Sequence, residues 1–484
     1  MSSQIKNIAK NSLIYGLGRV SSKIVGFILL PIYTAHLTVH DYGVLGIIEI
    51  TSQVLVQLLS LRLGAALHRW FYDKDYIDQR KSIFFSILFF LTVFVLLAII
   101  LAFFFIKEIS LLLFNTEQFS YVLTLMLFGV LFEIIYSTIL THIKLEEKAL
   151  FYSTTQVFKL IIDLSLTVYL IVALNHGING IYEAKMVGYF FFFLITAKYV
   201  LKNLQFKFDF AVTKGMIKYS LPLAISSISG ILLSITDRYS LNYITGLSDV
   251  GLYSLGYKIA NTTKIFVVSS MQLAISPVIF KIMDQPDAKE TYNKILVFIS
   301  ILTIFSAVSI SIFGKEIIEL FAKNKSYWAS FRVIPIISLS IFFGMLKDNS
   351  TYGIYLTKKT AKVPIYVFIV AIINFILNIL FIPYWGTMGA ALATLISQIL
   401  LFVFLILYSN HYYPVQFEFK KIFLILTAGI IFYLISSLFN NWNITLRLIL
   451  KSLILILFFV ALHLTNLLKF KTVRNYFNSF FNRH

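Results

Sequence analysis

Lys10-Asn11-Ser12-Leu13, followed thirty residues beyond Asn11 by Asp41-Tyr42-Gly43, returns later as Lys218-Tyr219-Ser220-Leu221 and Asp249-Val250-Gly251. The offset is 208 residues throughout, with no gap. Gly177-x-x-Gly180 likewise recurs as Gly386-x-x-Gly389, at an offset of 209. Spacing held over this distance is the signature of internal duplication. In a chain this apolar, two copied halves are the pattern of a transporter with its substrate site between them.

The apolar character sets the class. Hydrophobic residues make up 59% of the chain against 13% charged, with a mean hydropathy of +0.85, beyond what a soluble core needs. Apolar stretches of about 20 residues, long enough to cross a bilayer, recur from end to end with short polar loops between them. Lys6 and Lys10 precede an apolar run from about Leu13 to Ala35. That run is too long for a signal sequence and lacks a cleavage site, so it reads as the first span. The absence of cysteine excludes disulfides, iron–sulfur clusters and thiolate metal sites.

The runs predict an all-α integral membrane protein of about fourteen transmembrane helices. The expected spans are 12–35, 43–66, 82–106, 118–142, 152–173 and 178–201 in a first lobe, residues 1–208. In a second lobe, residues 209–410, they are 216–239, 251–280, 293–314, 328–347, 362–383 and 387–409. Spans at 420–439 and 446–467 follow, then a basic tail, making a third segment of 411–484.

Basic residues orient the spans. Lys6, Lys10, Arg69, Lys74, Arg80, Lys81, Lys144 and Lys148 fall on one side, and so do the Lys202–Lys218 link and the tail. The other side holds far fewer, among them Lys107, Lys315, Lys323, Lys325 and Arg447. Both termini are therefore expected in the cytoplasm. The net charge of +19 is explained by this segregation rather than by nucleic-acid binding. Six spans separate the two motif copies, an even number, so the repeats are parallel and the last two helices lie outside them.

Three blocks carry a family resemblance. The opening KNSLIYGLGRVSSKIVGF, with Asp41-Tyr42-Gly43-Val44-Leu45 downstream, resembles the first two helices of bacterial polysaccharide flippases. These belong to the multidrug/oligosaccharidyl-lipid/polysaccharide exporter superfamily. Ile235-Thr236-Asp237-Arg238 with Asp249-Val250-Gly251-Leu252-Tyr253-Ser254 is similar to it as well. So is the block from Asn374 to Thr394, where Pro383, Gly386 and Gly389 suit a tight turn and Gly389-Ala390-Ala391 suits close helix packing. This last block reads as fold-forming rather than substrate-binding.

The resemblance covers essentially the whole chain. It implies two six-helix bundles around a central cavity, in the bacterial cytoplasmic membrane. It also implies outward flipping of an isoprenoid-diphosphate-linked oligosaccharide such as an O-antigen unit. The expected partners are the lipid-linked saccharide, membrane lipid and polysaccharide polymerase machinery. A monomer is sufficient, and neither cofactor nor metal is expected.

Ionisable groups at membrane depth are costly, so each is a candidate. Arg19 and Lys23 share a face of the first span, roughly 10–12 and 16–18 Å into it. Arg19 matches an arginine that the resemblance implies there. Lys258 and Lys264 lie in the eighth span. These four are the expected contacts of a diphosphate, since guanidinium forks and ammonium charges complement phosphate oxygens. Secondary candidates are Asp237 and Arg238, which read equally as a structural pair, and Lys159 with Asp163, four apart and suited to pair within one helix. Glu49 and Glu133 read as lone carboxylates, partners for cavity cations or proton acceptors. Arg62 is expected to snorkel to the cytoplasmic face, and Glu183 and Lys185 to be solvated.

Two other transporter readings compete. A drug/cation antiporter of the same superfamily should have a carboxylate-dominated cavity, whereas the deep candidates here are basic. A peptidoglycan lipid-precursor flippase would use the same cationic logic. A membrane enzyme is disfavoured: no HExxH, GxSxG or phosphate-cradling loop occurs, and the external loops are short. The repeat also exposes an asymmetry, because Arg19 and Lys23 correspond to Ser227 and Ile231, and Asp237-Arg238 to Leu29-Leu30. The halves share a scaffold but not these charges.

Overall fold

The computed structural model describes residues 26–465, and among them all regular structure is helical. Contacts divide the chain into two compact units, Met1–Ile235 and Thr236–His484. The first contains α1 (Leu30–His36), α2 (Val39–Leu59), α3 (Leu63–Tyr72), α4 (Arg80–Phe104), α5 (Ile106–Phe114), α6 (Ser120–Leu145), α7 (Ala149–Val168) and α8 (Gly177–Asn203). Helix α9 (Phe210–Ile244) carries the boundary between the units. The second unit continues with α10 (Leu247–Ala260), α11 (Ser269–Lys281), α12 (Ala288–Ile312), α13 (Gly314–Phe321) and α14 (Ile334–Ser350). It closes with α15 (Tyr352–Leu356), α16 (Val363–Tyr412), α17 (Phe419–Ser437) and α18 (Ile444–Leu464).

Helix boundaries repeat with the sequence. The starts of α2 and α10, at Val39 and Leu247, are 208 residues apart, and both ends of α4 and α12 keep that offset. Helix α8 and the second limb of α16, from Gly386 to Tyr412, match at an offset of 209. Gly177 and Gly386 open these helices with φ of 54° and 50°, where a side chain would be strained. Local chemistry explains the shared starts. Thr38 accepts from the Asp41 amide and the Asp41 carboxylate accepts from the Thr38 amide, a reciprocal cap on α2.

The second span of each copy departs from expectation, because both are interrupted. The stretch expected as one span at 43–66 breaks between α2 and α3, where Leu61 and Arg62 take left-handed φ values of 46° and 56°. Its counterpart breaks between α10 and α11 in a π-helical segment, Thr263–Val268. Hydropathy is blind to such breaks because it reads composition and not backbone angles. Expected spans 362–383 and 387–409 are two helical limbs of α16 that fold back on each other at Gly386, where the backbone leaves helical angles and beyond which Tyr366 meets Phe404 and Tyr408. A Cβ on Gly389 would lie 2.5 Å from the Phe381 carbonyl, so the two limbs meet backbone to backbone. Two short helices, α5 and α13, occupy expected external loops.

Ten helices among the described residues are long and apolar enough to cross a membrane. Helix α16, counted once, holds two expected spans, and the first span begins outside the described residues.

Within the first unit α6 packs against α2, α4 and α8, and α7 lies along α8. Phe84, Ile139, Leu140, Ile143, Tyr152 and Phe192 form a buried cluster there. In the second unit α14 packs on α12 and α16, and α17 on α12 and α18. Ion pairs fix α18. Arg447 Nε lies 2.8 Å from Glu316 of α13, its guanidinium also meets Glu319, and Lys451 Nζ reaches Glu316 at 2.8 Å and Asn440 Oδ1 at 2.7 Å. Arg447 and Lys451, read from sequence as outer-side charges, are buried.

Candidate functional site

Each unit holds a polar cluster at its predicted candidates. In the first, α2 supplies Glu49, α6 supplies Glu133, α7 supplies Lys159 and Asp163, and α8 supplies Lys185. Glu49 and Glu133 lie near the midpoints of α2 and α6, while Lys185 lies roughly 12 Å from the start of α8. Periodicity brings them together: Lys159 and Asp163 are four apart, and Tyr182, Lys185 and Tyr189 fall on one face of α8.

Lys159 Nζ and Asp163 Oδ2 are 2.6 Å apart. The same ammonium sits 4.0 Å from the centroid of the Tyr189 ring. The Tyr189 hydroxyl donates to Glu133, so Glu133 is not the lone carboxylate expected. Lys185, expected in solvent, is half-buried over the Tyr182 ring at 4.5 Å, with Glu49 and Asp163 among its electrostatic neighbours. Its distance from the helix end suggested exposure, but helix rotation turns it inward. Glu183, also expected in solvent, is half-buried, accepting from Tyr121 at 3.2 Å and meeting His176 at 2.7 Å.

In the second unit Asp237 of α9 is buried. Its carboxylate accepts from the Tyr253 hydroxyl at 2.6 Å, from Asn378 Nδ2 at 3.1 Å and from the Thr394 hydroxyl. The Arg238 Nε donates to Ser254 at 3.0 Å, and its guanidinium lies 4.9 Å from the Tyr257 ring and 5.9 Å from that of Tyr253. Asn378 and Thr394 come from the block read as fold-forming, yet both contact the buried carboxylate. Their signal was the Asn-x-x-x-Asn spacing at Asn374 and Asn378, which places two amides on one face of an apolar helix.

The four leading cations fare differently. Arg19 and Lys23 lie outside the described residues. Lys258 is half-buried in the last turn of α10, and Lys264 is exposed on the π segment. Next to it, the Thr263 hydroxyl meets that of Ser306 at 3.1 Å. By the 208-residue offset the Leu61–Arg62 break of the other copy falls on Ser269 and Ser270, just after the π segment. Paired interruptions in corresponding spans are the sequence-level mark of a transporter's binding region.

Chemically, the clusters can each hold a charge or exchange a proton at a fixed place. The oxygens of Asp237, Asn378 and Thr394 are also of the type that hard cations take. No group of three or more His, Asp or Glu able to hold a metal is present among the described residues.

A sequence profile described as polysaccharide biosynthesis protein matches residues 8–283, more than half of the chain. The chain belongs to this polysaccharide biosynthesis protein family. Two distant relatives match part of the chain. An uncharacterized membrane protein of Methanocaldococcus jannaschii is 28% identical over 243 residues, 48% of this chain and 46% of its own. A Lsg locus protein of Haemophilus influenzae is 24% identical over 287 residues, 57% of this chain and 67% of its own. The chain spans about half the length of the archaeal relative it matches.

Solved structures share the family member's fold far beyond this. Lipid II flippase MurJ in an inward closed conformation aligns with a TM-score of 0.74 at 15% identity, covering 94% of this chain and all of that one. An inward-facing multidrug resistance MATE transporter of the MOP superfamily aligns at 0.67 and 13% identity, covering 82% and 94%. The fold is that of the superfamily expected from the sequence.

Proposed function

We propose that the chain moves an isoprenoid-diphosphate-linked oligosaccharide from the cytoplasmic to the outer leaflet of the cytoplasmic membrane. The carrying observation is that the polysaccharide biosynthesis profile and the fold of a lipid-intermediate flippase fall on one chain. The proposed mode is alternating access. Only the polar head needs a wet path, since the lipid tail can stay in the bilayer.

A diphosphate does not cross hydrocarbon unpaired. Arg19, Lys23, Lys258 and Lys264 are the groups proposed to receive it, with Lys264 on the interrupted eighth span. An inside-negative potential favours outward movement of the anion by about 2.3 kcal/mol per charge per 100 mV, and cations moving with it would offset this. Transport without covalent chemistry is the proposed role, with the lipid-linked saccharide and polysaccharide polymerase machinery as partners.

The test is reconstitution of the purified chain into liposomes with a defined lipid-linked oligosaccharide, scoring transbilayer movement. Wild type should move it, and Arg19→Ala and Lys264→Ala should abolish movement while remaining in the membrane. Full movement in both variants would sink the cationic site. The second reading, a cation antiporter, draws support from the carboxylates Glu49, Glu133 and Asp237. Movement of an organic cation with no movement of any glycolipid would favour it.

A further inference from the structure

The stretch Gln205-Phe206-Lys207-Phe208-Asp209-Phe210 joins α8 to α9 and alternates phenylalanine with polar residues. Helix α4 holds it in place. The Gln205 amide donates to the Lys81 carbonyl at 3.3 Å, and the Asp209 amide donates to the Ser86 hydroxyl at 2.9 Å. The Ser86 hydroxyl in turn donates to the Lys207 carbonyl at 3.4 Å. These bonds seat the stretch as a strap along the first turns of α4.

The strap's phenylalanines stay uncovered. Phe206 packs edge-on against Phe85 with ring centroids 5.3 Å apart, and Phe208 against Phe89 at 5.5 Å. Phe85 itself stacks on Phe89 at 5.8 Å, so four rings form one wall on α4. Phe206 nevertheless remains 76% exposed, and Phe210, at the start of α9, 70%. Rings anchored on one side and open on the other suit a membrane interface, where aromatic side chains collect.

Lysines accompany the wall. Lys198 and Lys202 are one turn apart at the end of α8, Lys207 lies in the strap, and all three are exposed. None of the three has an ion-pair partner among the described residues. Asp209, the carboxylate of the strap, is taken up in capping α9, where it accepts from the Val212 amide at 3.0 Å. The residues outside the described range include no Asp or Glu, so they bring no carboxylate to the patch.

We propose that the strap is a binding site for an anionic phospholipid of the leaflet on the side expected to be cytoplasmic. Lys198, Lys202 and Lys207 receive the headgroup phosphate, and an acyl chain lies against the Phe206 and Phe208 rings. Three ammonium charges without a carboxylate favour an anionic head over a zwitterionic one, whose own cation they repel. Asp209 ends the strap and caps α9, so a lipid held there also holds the start of that helix. The inference goes beyond glycolipid flipping, because its test reads the binding of ordinary membrane lipid and stands or falls apart from transport.

The test is native mass spectrometry of the full chain in detergent, titrated with phosphatidylglycerol or with phosphatidylcholine. Wild type should retain phosphatidylglycerol in preference. Lys198→Gln, Lys202→Gln and Lys207→Gln should each weaken that binding about fivefold, and together about a hundredfold. The single changes decide the matter if the triple variant does not fold. Phe206→Ala should weaken binding of both lipids. Lys358→Gln, Lys362→Gln and Lys420→Gln together remove as much charge from exposed positions of the second unit and should leave retention as in wild type. Inorganic phosphate should not displace the lipid. Equal retention of the two lipids, wild-type binding in the strap variants, an equal loss in the second-unit variant, or displacement by inorganic phosphate would overturn the proposal.

Discussion

Asn378 donates from α16 to the carboxylate of Asp237 in α9 at 3.1 Å, across 141 residues of chain. With Tyr253 and Thr394 completing the set, one buried carboxylate ties three helices of the second unit together. Removing a donor from such a group leaves an unsatisfied acceptor in the interior. Thr394→Val is therefore expected to lower unfolding stability by about 1–3 kcal/mol in detergent. Asp237→Asn should cost a similar amount, because an amide nitrogen cannot accept from the hydroxyls. Thermal unfolding of the purified variants checks both, and a wild-type melting point for Asp237→Asn would mean that Asp237 is already neutral.

Lys159 and Asp163 form a buried pair, and breaking one side strands the other. Lys159→Met alone should cost about 3–5 kcal/mol. Lys159→Met combined with Asp163→Leu should recover most of that loss, since a well-packed apolar pair is often equally stable. A double-mutant cycle by chemical denaturation measures the difference. Equal melting for the single and double variants would show that the pair is not coupled.

The ion network at Glu316 positions α18. Arg447 is 4% and Lys451 1% exposed, and Arg447→Ala removes one of the two cations that meet the buried Glu316 carboxylate at 2.8 Å, as well as the partner of Glu319. The expected cost is about 3–5 kcal/mol. The loss should be local: amide exchange should quicken in α18 and in α13 while α6 to α8 of the first unit stay protected. Uniform protection in the variant would refute the clamp.

Close backbone approaches at glycine give a further test. A Cβ at Gly256 would lie 2.5 Å from the Ser330 carbonyl, and one at Gly389 would lie 2.5 Å from that of Phe381. Neither neighbour is a flexible side-chain tip, so backbone must shift. Gly256→Ala and Gly389→Ala should each be destabilising, by about 1–3 kcal/mol for an overpacked site. Gly64→Ala is the control, because its nearest atom would be 3.8 Å away. Fluorescence-detected size-exclusion after a temperature ramp ranks the three.

Membrane class, the duplicated motif and several helix starts were legible in the linear chain because each depends on local information. Apolar run length measures a bilayer crossing, the Asp41 cap and the glycines Gly177 and Gly386 sit at helix starts, and the 208-residue offset carries both from one copy to the other. The Lys159–Asp163 spacing belongs here too, since four residues place two side chains on one helix face without help from a neighbour.

Other features are set by how helices rotate and which ones touch. Lys185 lies at a depth that suggested solvent, but α8 turns it toward Glu49. Asp237 takes Asn378 and Thr394 from a helix far along the chain, and Arg447 likewise finds Glu316 across a long stretch. Left-handed angles at Leu61 and Arg62 and the π segment at Lys264 are backbone choices that hydropathy does not encode. By itself the sequence determined the number and order of polar groups in an apolar chain. Tertiary packing alone decided which of them meet, because a charge at membrane depth takes its partner from whichever helix face is turned toward it.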